Sequence, residues 1–209
     1  AIVGIGGRGS WLVGAVAKRA DVEIVALCDR IVKRAEYMAQ KCQLASARIF
    51  TDIHDLLASV DCDAVMVTTS DAHHCEVVLP ALRAGKFVFC EKPLEISLKA
   101  CRDIIAADRK AGGKTFVGFN LRYAPVYAKV KEVIDSGRLG KLLTIQADEF
   151  YDGGRTYFRR WNRFRSEGGG LWITKASHDF DLLAWFAGAK PVEVRSEEHT
   201  SELQSHHPI

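Results

Sequence analysis

Residues 1–10 read AIVGIGGRGS, an apolar run that leads through four glycines into an amphipathic stretch. Gly4, Gly6 and Gly9 match the pattern GxGxxG, at a place where a strand would end and a helix would begin. There, the first glycine permits a tight turn, the second lets a ligand approach the backbone, and the third lets helix and strand pack closely. The stretch predicts the first βα unit of a doubly wound α/β domain.

The same turn predicts a dinucleotide site, because unpaired N–H groups at a helix N-terminus bind phosphate. Asp29 lies twenty residues after Gly9, at the end of the second predicted strand. Its carboxylate would accept hydrogen bonds from a ribose and repel a 2′-phosphate, which favours NAD. The neighbouring Arg30 could accommodate that phosphate, so NADP stays open. The residues predicted to surround the pyrophosphate are Gly4, Gly6, Gly7, Arg8 and Gly9.

The first 120 residues alternate short β-branched runs with helical periodicities, as parallel sheets built from βαβ units do. Asp52 and Ser97 stand where helix N-caps are expected. We therefore predict a doubly wound parallel sheet, a Rossmann domain, over residues 1–121. The predicted strands are 2–5, 22–28, 48–50, 64–69, 87–90 and 115–119.

The pattern changes after residue 121, and residues 122–194 are predicted to be the truncated start of an α+β substrate domain. It has a helix over 125–136, an alternating strand over 141–150, a helix from the glycine run to Phe186, and a further strand beginning at 191. Residues 195–209 break this periodicity and resemble the in-frame translation of a DNA sequencing adapter, so we predict a non-native tail. A chain cut in this way is expected to bind dinucleotide weakly and turn over poorly.

Composition narrows the function classes. The chain is 48% hydrophobic and 26% charged with a formal net charge of +3, typical of a globular protein and too mild for a nucleic-acid surface. No run approaches the roughly 20 apolar residues of a membrane span. The six cysteines show no metal-ligand spacing. We expect reduced thiols, no metal, and a cytoplasmic protein without nucleic-acid or membrane partners.

Glu91, Lys92 and Pro93 end the fifth predicted strand, and open α/β sheets bind ligands at the carboxyl ends of their strands. A partly desolvated lysine beside a cofactor can act as an acid, a base or a clamp on a hydroxyl. The alternative is a surface lysine paired with a neighbour. We predict that Glu91 contacts the cofactor and that Lys92 shares one crevice with the glycine turn.

Together these motifs resemble the Gfo/Idh/MocA family of nicotinamide-dependent oxidoreductases. The matching segments are 4–9, Asp29, 69–74, 84–93, 118–122 and 168–181. The resemblance implies hydride transfer between NAD(P) and a sugar or cyclitol hydroxyl, and a homo-oligomer at full length. It also implies that Lys92 contacts both the substrate hydroxyl and the nicotinamide, with a cis Lys92–Pro93 bond.

The family's second catalytic element is often an Asp four residues before a His. His178 matches the histidine and would be the base, but Thr174 occupies the Asp position and Lys175 follows it. On one helix both would share a face with His178, so Lys175 is predicted to help position substrate. Alternatively His178 is structural. Asp181 either orients His178 or caps locally.

The remaining candidates lie near the ends of predicted elements. Thr69 and His74 are predicted at the cofactor edge, since they follow the fourth strand. Asn120 and Arg122 are predicted to hold a polyol at the domain junction, together with Thr174 and Asp181.

A sugar or cyclitol dehydrogenase is the function that these residues favour. Two alternatives stay open: an NAD-dependent glycosidase of the same family, and a non-catalytic NAD-binding sensor or regulator.

Overall fold

A parallel sheet of six strands forms the centre of the fold. The computed structural model describes residues 1–148 and 159–195. The strands are β1 (Ile2–Val3), β2 (Ala26–Cys28), β3 (Arg48–Phe50), β4 (Ala64–Val67), β5 (Phe87–Cys90) and β6 (Thr115–Val117). Their order is β3-β2-β1-β4-β5-β6, and every neighbouring pair is parallel. This is the order of doubly wound dinucleotide-binding sheets, so the predicted fold class is confirmed.

Helices cover both faces of the sheet. They are α1 (Gly7–Val16), α2 (Val32–Lys41), α3 (Ile53–Ser59), α4 (His74–Arg83) and α5 (Leu98–Lys110). Because successive strand residues point to opposite faces, Ile2 joins one buried cluster with Val13 of α1, whereas Val3 joins the other with Val78 of α4. The sheet therefore has an apolar layer on each side, as its near-continuous apolar strands predict.

The predicted helix caps at Asp52 and Ser97 are confirmed. The Asp52 carboxylate accepts a hydrogen bond from the His54 N–H at 2.6 Å, at the start of α3. The Ser97 hydroxyl oxygen accepts one from the Ala100 N–H at 3.1 Å, at the start of α5. Each cap satisfies one N–H group that has no acceptor within its own helix.

The turn between β1 and α1 is held by backbone packing. Gly4 has a φ of +90°, and a Cβ there would lie 2.6 Å from the Thr69 nitrogen. A Cβ on Gly9 would lie 1.9 Å from the Gly4 carbonyl oxygen. The Thr68 hydroxyl donates to that oxygen at 2.6 Å. These contacts fix the N-terminus of α1 at the carboxyl edge of β1 and β4, as predicted for the first and last glycines.

Two predicted strands in the second part of the chain are wrong. One of them was predicted over residues 141–150. Its described residues, 141–148, form no strand, and residues 149–150 lie outside the described ranges. Residues 191–194 form no strand either. A strand requires a hydrogen-bonded neighbour, and the described part of the chain offers these segments none.

The helical elements of the second part are α6 (Pro125–Asp135), α7 (Arg165–Gly168), α8 (Leu171–Thr174) and α9 (Ser177–Ala187). The single helix predicted from the glycine run to Phe186 is therefore broken between Thr174 and Ser177. At the break, Lys175 has a distorted backbone with φ −110° and ψ −61°, and the His178 N–H donates to the Lys175 carbonyl at 3.4 Å rather than to the Thr174 carbonyl. Thr174 and His178 do not share one helix, which corrects the reasoning that placed them on a common face.

The division at residue 121 stays a prediction, as does the nature of the tail, whose residues 196–209 lie outside the described ranges. All six cysteines are free thiols. Within the two described ranges, we find no helix of the length and apolarity needed to cross a bilayer.

The packing at Gly9 predicts a measurable difference between two glycines of α1. Gly9→Ala should lower the free energy of unfolding by about 1–3 kcal/mol, because its methyl group overlaps the Gly4 carbonyl and forces the backbone apart. Gly14→Ala meets nothing within 4 Å and should raise it by up to about 1 kcal/mol through helix propensity. Urea denaturation followed by circular dichroism measures both. Equal stability of the two variants would contradict this packing.

Candidate functional site

A cleft of about 990 Å³ lies along the carboxyl ends of β1, β4 and β5. Its size is that of a pocket for a large cofactor or substrate. It places the glycine turn and the lysine after β5 on the walls of one cavity. The predicted site residues that line it are Gly4, Gly6, Gly7, Arg8, Asp29, Arg30, Thr69, Glu91, Lys92, Asn120, Thr174 and His178.

The glycine turn fits a pyrophosphate. The N-cap of α1 is Gly6, no side chain caps this helix, and its first turn contains no acidic residue. Its first N–H groups have no intrahelical acceptor, and the helix dipole favours an anion at this end. A Cβ on Gly6 or Gly7 would meet nothing within 4 Å. The space above the turn is therefore open to a ligand that approaches the backbone.

Asp29 is 8% exposed and ties the glycine turn to the start of α2. Its Oδ2 accepts a hydrogen bond from the Ile5 N–H at 2.6 Å, and its Oδ1 accepts one from the Ile31 N–H at 2.8 Å. An Arg34 nitrogen lies 3.8 Å from Oδ1. A carboxylate has about four lone-pair positions, so it retains acceptor capacity toward the cleft. Binding of a ribose by Asp29 fits this arrangement and stays a prediction.

Glu91 is engaged by protein groups. Its Oε1 accepts a hydrogen bond from the Arg8 Nε at 2.5 Å, and its Oε2 accepts one from the Lys92 N–H at 3.2 Å. The Arg8 guanidinium also lies 4.7 Å from the ring centroid of Trp11. Glu91 thus links the glycine turn to the backbone of Lys92. This placement favours a role in positioning both over a direct contact with the cofactor.

Lys92 reaches across the cleft to the second part of the chain. It follows β5 through a cis peptide bond to Pro93, as the resemblance implies, and its Nζ donates a hydrogen bond to the Thr174 carbonyl at 2.6 Å. Burial lowers the pKa of Lys92, while the carboxylates of Asp71 and Glu91 oppose this shift. The alternative of an ordinary surface lysine does not describe this amine.

His74 is buried and does not line the cleft, so its placement does not support the predicted position at the cofactor edge. Its side chain is 0% exposed, is not part of the cleft wall, and makes a 2.8 Å hydrogen bond through Nδ1 with the Pro93 carbonyl. Burial lowers the pKa of His74 and favours the neutral ring. His74 therefore supports the loop that carries Lys92 from behind.

The broken helix determines what Thr174 and Lys175 can do. The Thr174 hydroxyl donates to the carbonyls of Gly168 at 2.6 Å and Gly170 at 2.9 Å, so it stabilises the glycine run. Its own carbonyl, released by the break, accepts from Lys92. His178 lines the cleft, with its ring edge-on to Phe119 at 6.0 Å. Lys175 does not line the cleft, and its charge contributes to the lowered pKa of Lys92.

Arg122 and Asp181 form an ion pair away from the cleft. The Arg122 Nε donates to the Asp181 Oδ2 at 2.7 Å, and the guanidinium lies 5.6 Å from the ring centroid of Trp185. Neither residue lines the main cleft. The pair fastens the turn Asn120–Tyr123 to α9, so their placement does not support the predicted contact with a polyol.

Asp71 is a titratable cleft residue to which the sequence predictions gave no role. It lies on the 3-10 turn Asp71–His73 just after β4, is 5% exposed, and lines the cleft. Burial raises the pKa of Asp71 to about 7, and the nearby Lys92 ammonium opposes the shift. The position of Asp71 after the fourth predicted strand could have indicated its place in the cleft. The strands β4 and β5 are parallel neighbours, and their carboxyl ends meet at one edge of the sheet.

The sheet order, the glycine turn and the cleft define a dinucleotide-binding domain of the Rossmann class. A family model described as "Oxidoreductase family, NAD-binding Rossmann fold" matches residues 1–119, and one described as "GFO/IDH/MocA C-terminal domain" matches residues 127–206. The chain therefore belongs to the Gfo/Idh/MocA family, as its motifs suggest. Its cofactor is NAD.

Individual relatives support the same family assignment. The chain is 34% identical over 208 residues to an inositol 2-dehydrogenase/D-chiro-inositol 3-dehydrogenase of Lactiplantibacillus plantarum, with 98% of this chain and 57% of that protein covered. It thus spans little more than half of that relative's length. The crystal structure of the WlbA dehydrogenase from Bordetella pertussis, in complex with NADH and UDP-GlcNAcA, matches with a TM-score of 0.74 and 28% identity over 90% of this chain and 58% of that one.

A third comparison supports the fold. The crystal structure of myo-inositol 2-dehydrogenase from Lactobacillus plantarum matches with a TM-score of 0.81 and 24% identity, covering 98% of this chain and 61% of that one.

The open space at Gly6 predicts a variant that affects NADH binding alone. Gly6→Ala should leave the unfolding midpoint nearly unchanged, because its φ is −74° and its Cβ meets no protein atom within 4 Å. It should weaken NADH binding, because the methyl group occupies the approach to the first-turn N–H groups. Titration of NADH fluorescence, with Gly14→Ala as control, measures the affinity. Unaltered affinity in Gly6→Ala would place the pyrophosphate elsewhere.

Proposed function

We propose that this chain provides the cofactor domain and the catalytic lysine of an NAD-dependent dehydrogenase that oxidises a cyclitol or sugar hydroxyl. One observation carries the proposal: Lys92 and His178 line the same cleft as the glycine turn that fits a pyrophosphate. The named activity of the L. plantarum relative supports the cyclitol class.

Lys92 would hold the reacting hydroxyl. One proton of its amine is committed to the Thr174 carbonyl, and an ammonium carries three donors, so two remain for the cleft. Directed at the hydroxyl oxygen, they would orient it and stabilise the negative charge that develops as its proton leaves. The lysine is fixed by its backbone bond to Glu91 and by the His74–Pro93 contact behind it.

His178 would take the hydroxyl proton. An imidazole accepts protons near neutral pH, and this one sits on the first turn of α9 in the cleft wall. The chain has no carboxylate at position 174, where its family often has one, so the Lys92–His178 pair carries the proton chemistry. NAD, when bound, supplies the hydride acceptor; the protein supplies orientation and charge.

The glycosidase and sensor alternatives differ in what they release. A glycosidase would liberate an aglycone with no net NADH, and a sensor would bind NAD without converting a polyol. We also propose a cytoplasmic location, supported by six free thiols, which persist in reducing compartments.

Substitution of Lys92 separates catalysis from cofactor binding. In the complete open reading frame that encodes this chain, Lys92→Met should reduce cyclitol-dependent NADH formation by about 100-fold or more, the usual cost of removing a donor that stabilises developing negative charge. NADH affinity should be retained, because the glycine turn is intact. The matched control is Lys86→Met, whose amine pairs with Asp61 on the surface at 2.9 Å, and it should be fully active.

Absorbance assays against a panel of inositols and sugars, with NAD, measure this activity. Full activity of Lys92→Met would contradict the role of the lysine. Failure of every polyol to produce NADH in a protein that binds NADH would instead favour the sensor, and aglycone release without net NADH would favour the glycosidase.

A further inference from the structure

One oxygen of a buried carboxyl group in the cleft wall, that of Asp71, has no hydrogen-bond partner among the described residues. The Oδ2 of Asp71 is inaccessible to solvent and accepts no hydrogen bond from the residues that the structure describes. Unsatisfied buried polar atoms are rare and costly. Asp71 and Lys92 nevertheless line the same cleft, where the ammonium attracts the Asp71 carboxylate electrostatically.

The charged groups around Asp71 come from several elements. Lys92, on the loop after β5, attracts the Asp71 carboxylate electrostatically, and the carboxylates of Glu91 and Glu95 repel it. From α7, Glu167 approaches the turn that carries Asp71: its Oε2 accepts from the Ser70 hydroxyl at 3.3 Å and lies 3.6 Å from the Nε2 of His73. Lys92 is the cation in this set that acts on Asp71.

Two carboxylates act electrostatically on Lys92, and they differ in how far their oxygens are already hydrogen-bonded. Lys92 is faced by Asp71, Glu91, Lys175 and Arg8. Both oxygens of Glu91 are already engaged, one by Arg8 and one by the backbone of Lys92. The two other cations oppose a positive charge on the lysine. Asp71 is therefore the carboxylate available to balance the ammonium.

We propose that Asp71 is a positioning residue that acts through Lys92: its carboxylate keeps the Lys92 amine protonated in the desolvated cleft, so that the amine meets the substrate hydroxyl as a hydrogen-bond donor. This role rests on the proposed dehydrogenase function. The charge coupling on which it depends can be measured without substrate or cofactor.

The direction of each titration agrees with this role. Burial lowers the pKa of Lys92, and the Asp71 carboxylate raises it again. Burial raises the pKa of Asp71 to about 7, so this carboxyl ionises as the pH rises through neutrality. Above that pH it stabilises the ammonium; below it, Lys92 loses the support. Removing the Asp71 charge should therefore shift the titration of Lys92 to lower pH.

Competitive labelling with acetic anhydride measures this titration directly, because only the neutral amine reacts. The label on the Lys92 peptide is quantified by mass spectrometry across a pH series. Above pH 7, where the Asp71 carboxyl of the unsubstituted protein is ionised, Lys92 should react roughly tenfold faster in Asp71→Asn, the effect of each unit by which its pKa falls. The control is Asp61→Asn, which removes a carboxylate that pairs with Lys86 on the surface at 2.9 Å, so the titration of Lys92 should not move. A Lys92 titration unchanged in Asp71→Asn overturns the proposal.

The reciprocal variant guards against a folding defect in Asp71→Asn. Lys92→Met removes the ammonium that lowers the pKa of Asp71, so the Asp71 carboxyl should titrate at higher pH, observed by NMR of ¹³C-labelled aspartate. A shift to lower pH, or none, overturns the coupling.

In the complete reading frame, Asp71→Asn should also displace the pH profile of kcat/KM in the same direction as the Lys92 titration. Absence of polyol oxidation in the unsubstituted protein would refute the dehydrogenase, whereas the labelling result alone decides the coupling.

Discussion

The contact between Gly9 and the Gly4 carbonyl is the constraint on which the rest of the site depends. With a Cβ only 1.9 Å from that oxygen, no side chain is compatible with the way α1 approaches the end of β1. The Thr68 hydroxyl, just after β4, holds the same turn by donating a hydrogen bond to the Gly4 carbonyl. This packing aims the unpaired N–H groups of α1 at the point where the strand order reverses, the place where doubly wound sheets bind their ligands.

The hydrogen bond from the Lys92 Nζ to the Thr174 carbonyl joins the two parts of the site. It exists because α8 ends at Thr174, so that the carbonyl of this residue accepts no N–H of a helix ladder. The His178 N–H turns to the Lys175 carbonyl instead, at 3.4 Å. A local break in a helix thus brings an imidazole on α9 and an amine after β5 to the same cleft. The spacing of these residues in the sequence does not predict this break.

Local patterns predicted the Rossmann sheet well because its strands pair with one another within the first 120 residues. The strands at 48–50 and 87–90 have the predicted bounds. Periodicity failed over 141–148, where no neighbouring strand lies in the described part of the chain. The structure gives no support to the site predictions where a side chain's partner is distant in sequence: His74 bonds to Pro93, and Arg122 to Asp181. Asp71 was missed because its significance comes from burial beside Lys92, which a motif does not report.

A crystal structure of the chain with NADH would show where the dinucleotide binds. We expect the pyrophosphate oxygens to accept hydrogen bonds from the first-turn N–H groups of α1, and the nicotinamide ring to lie in the cleft beside the Lys92 Nζ. A dinucleotide bound away from the glycine turn, or a nicotinamide directed to the far edge of the sheet from Lys92, would contradict this expectation.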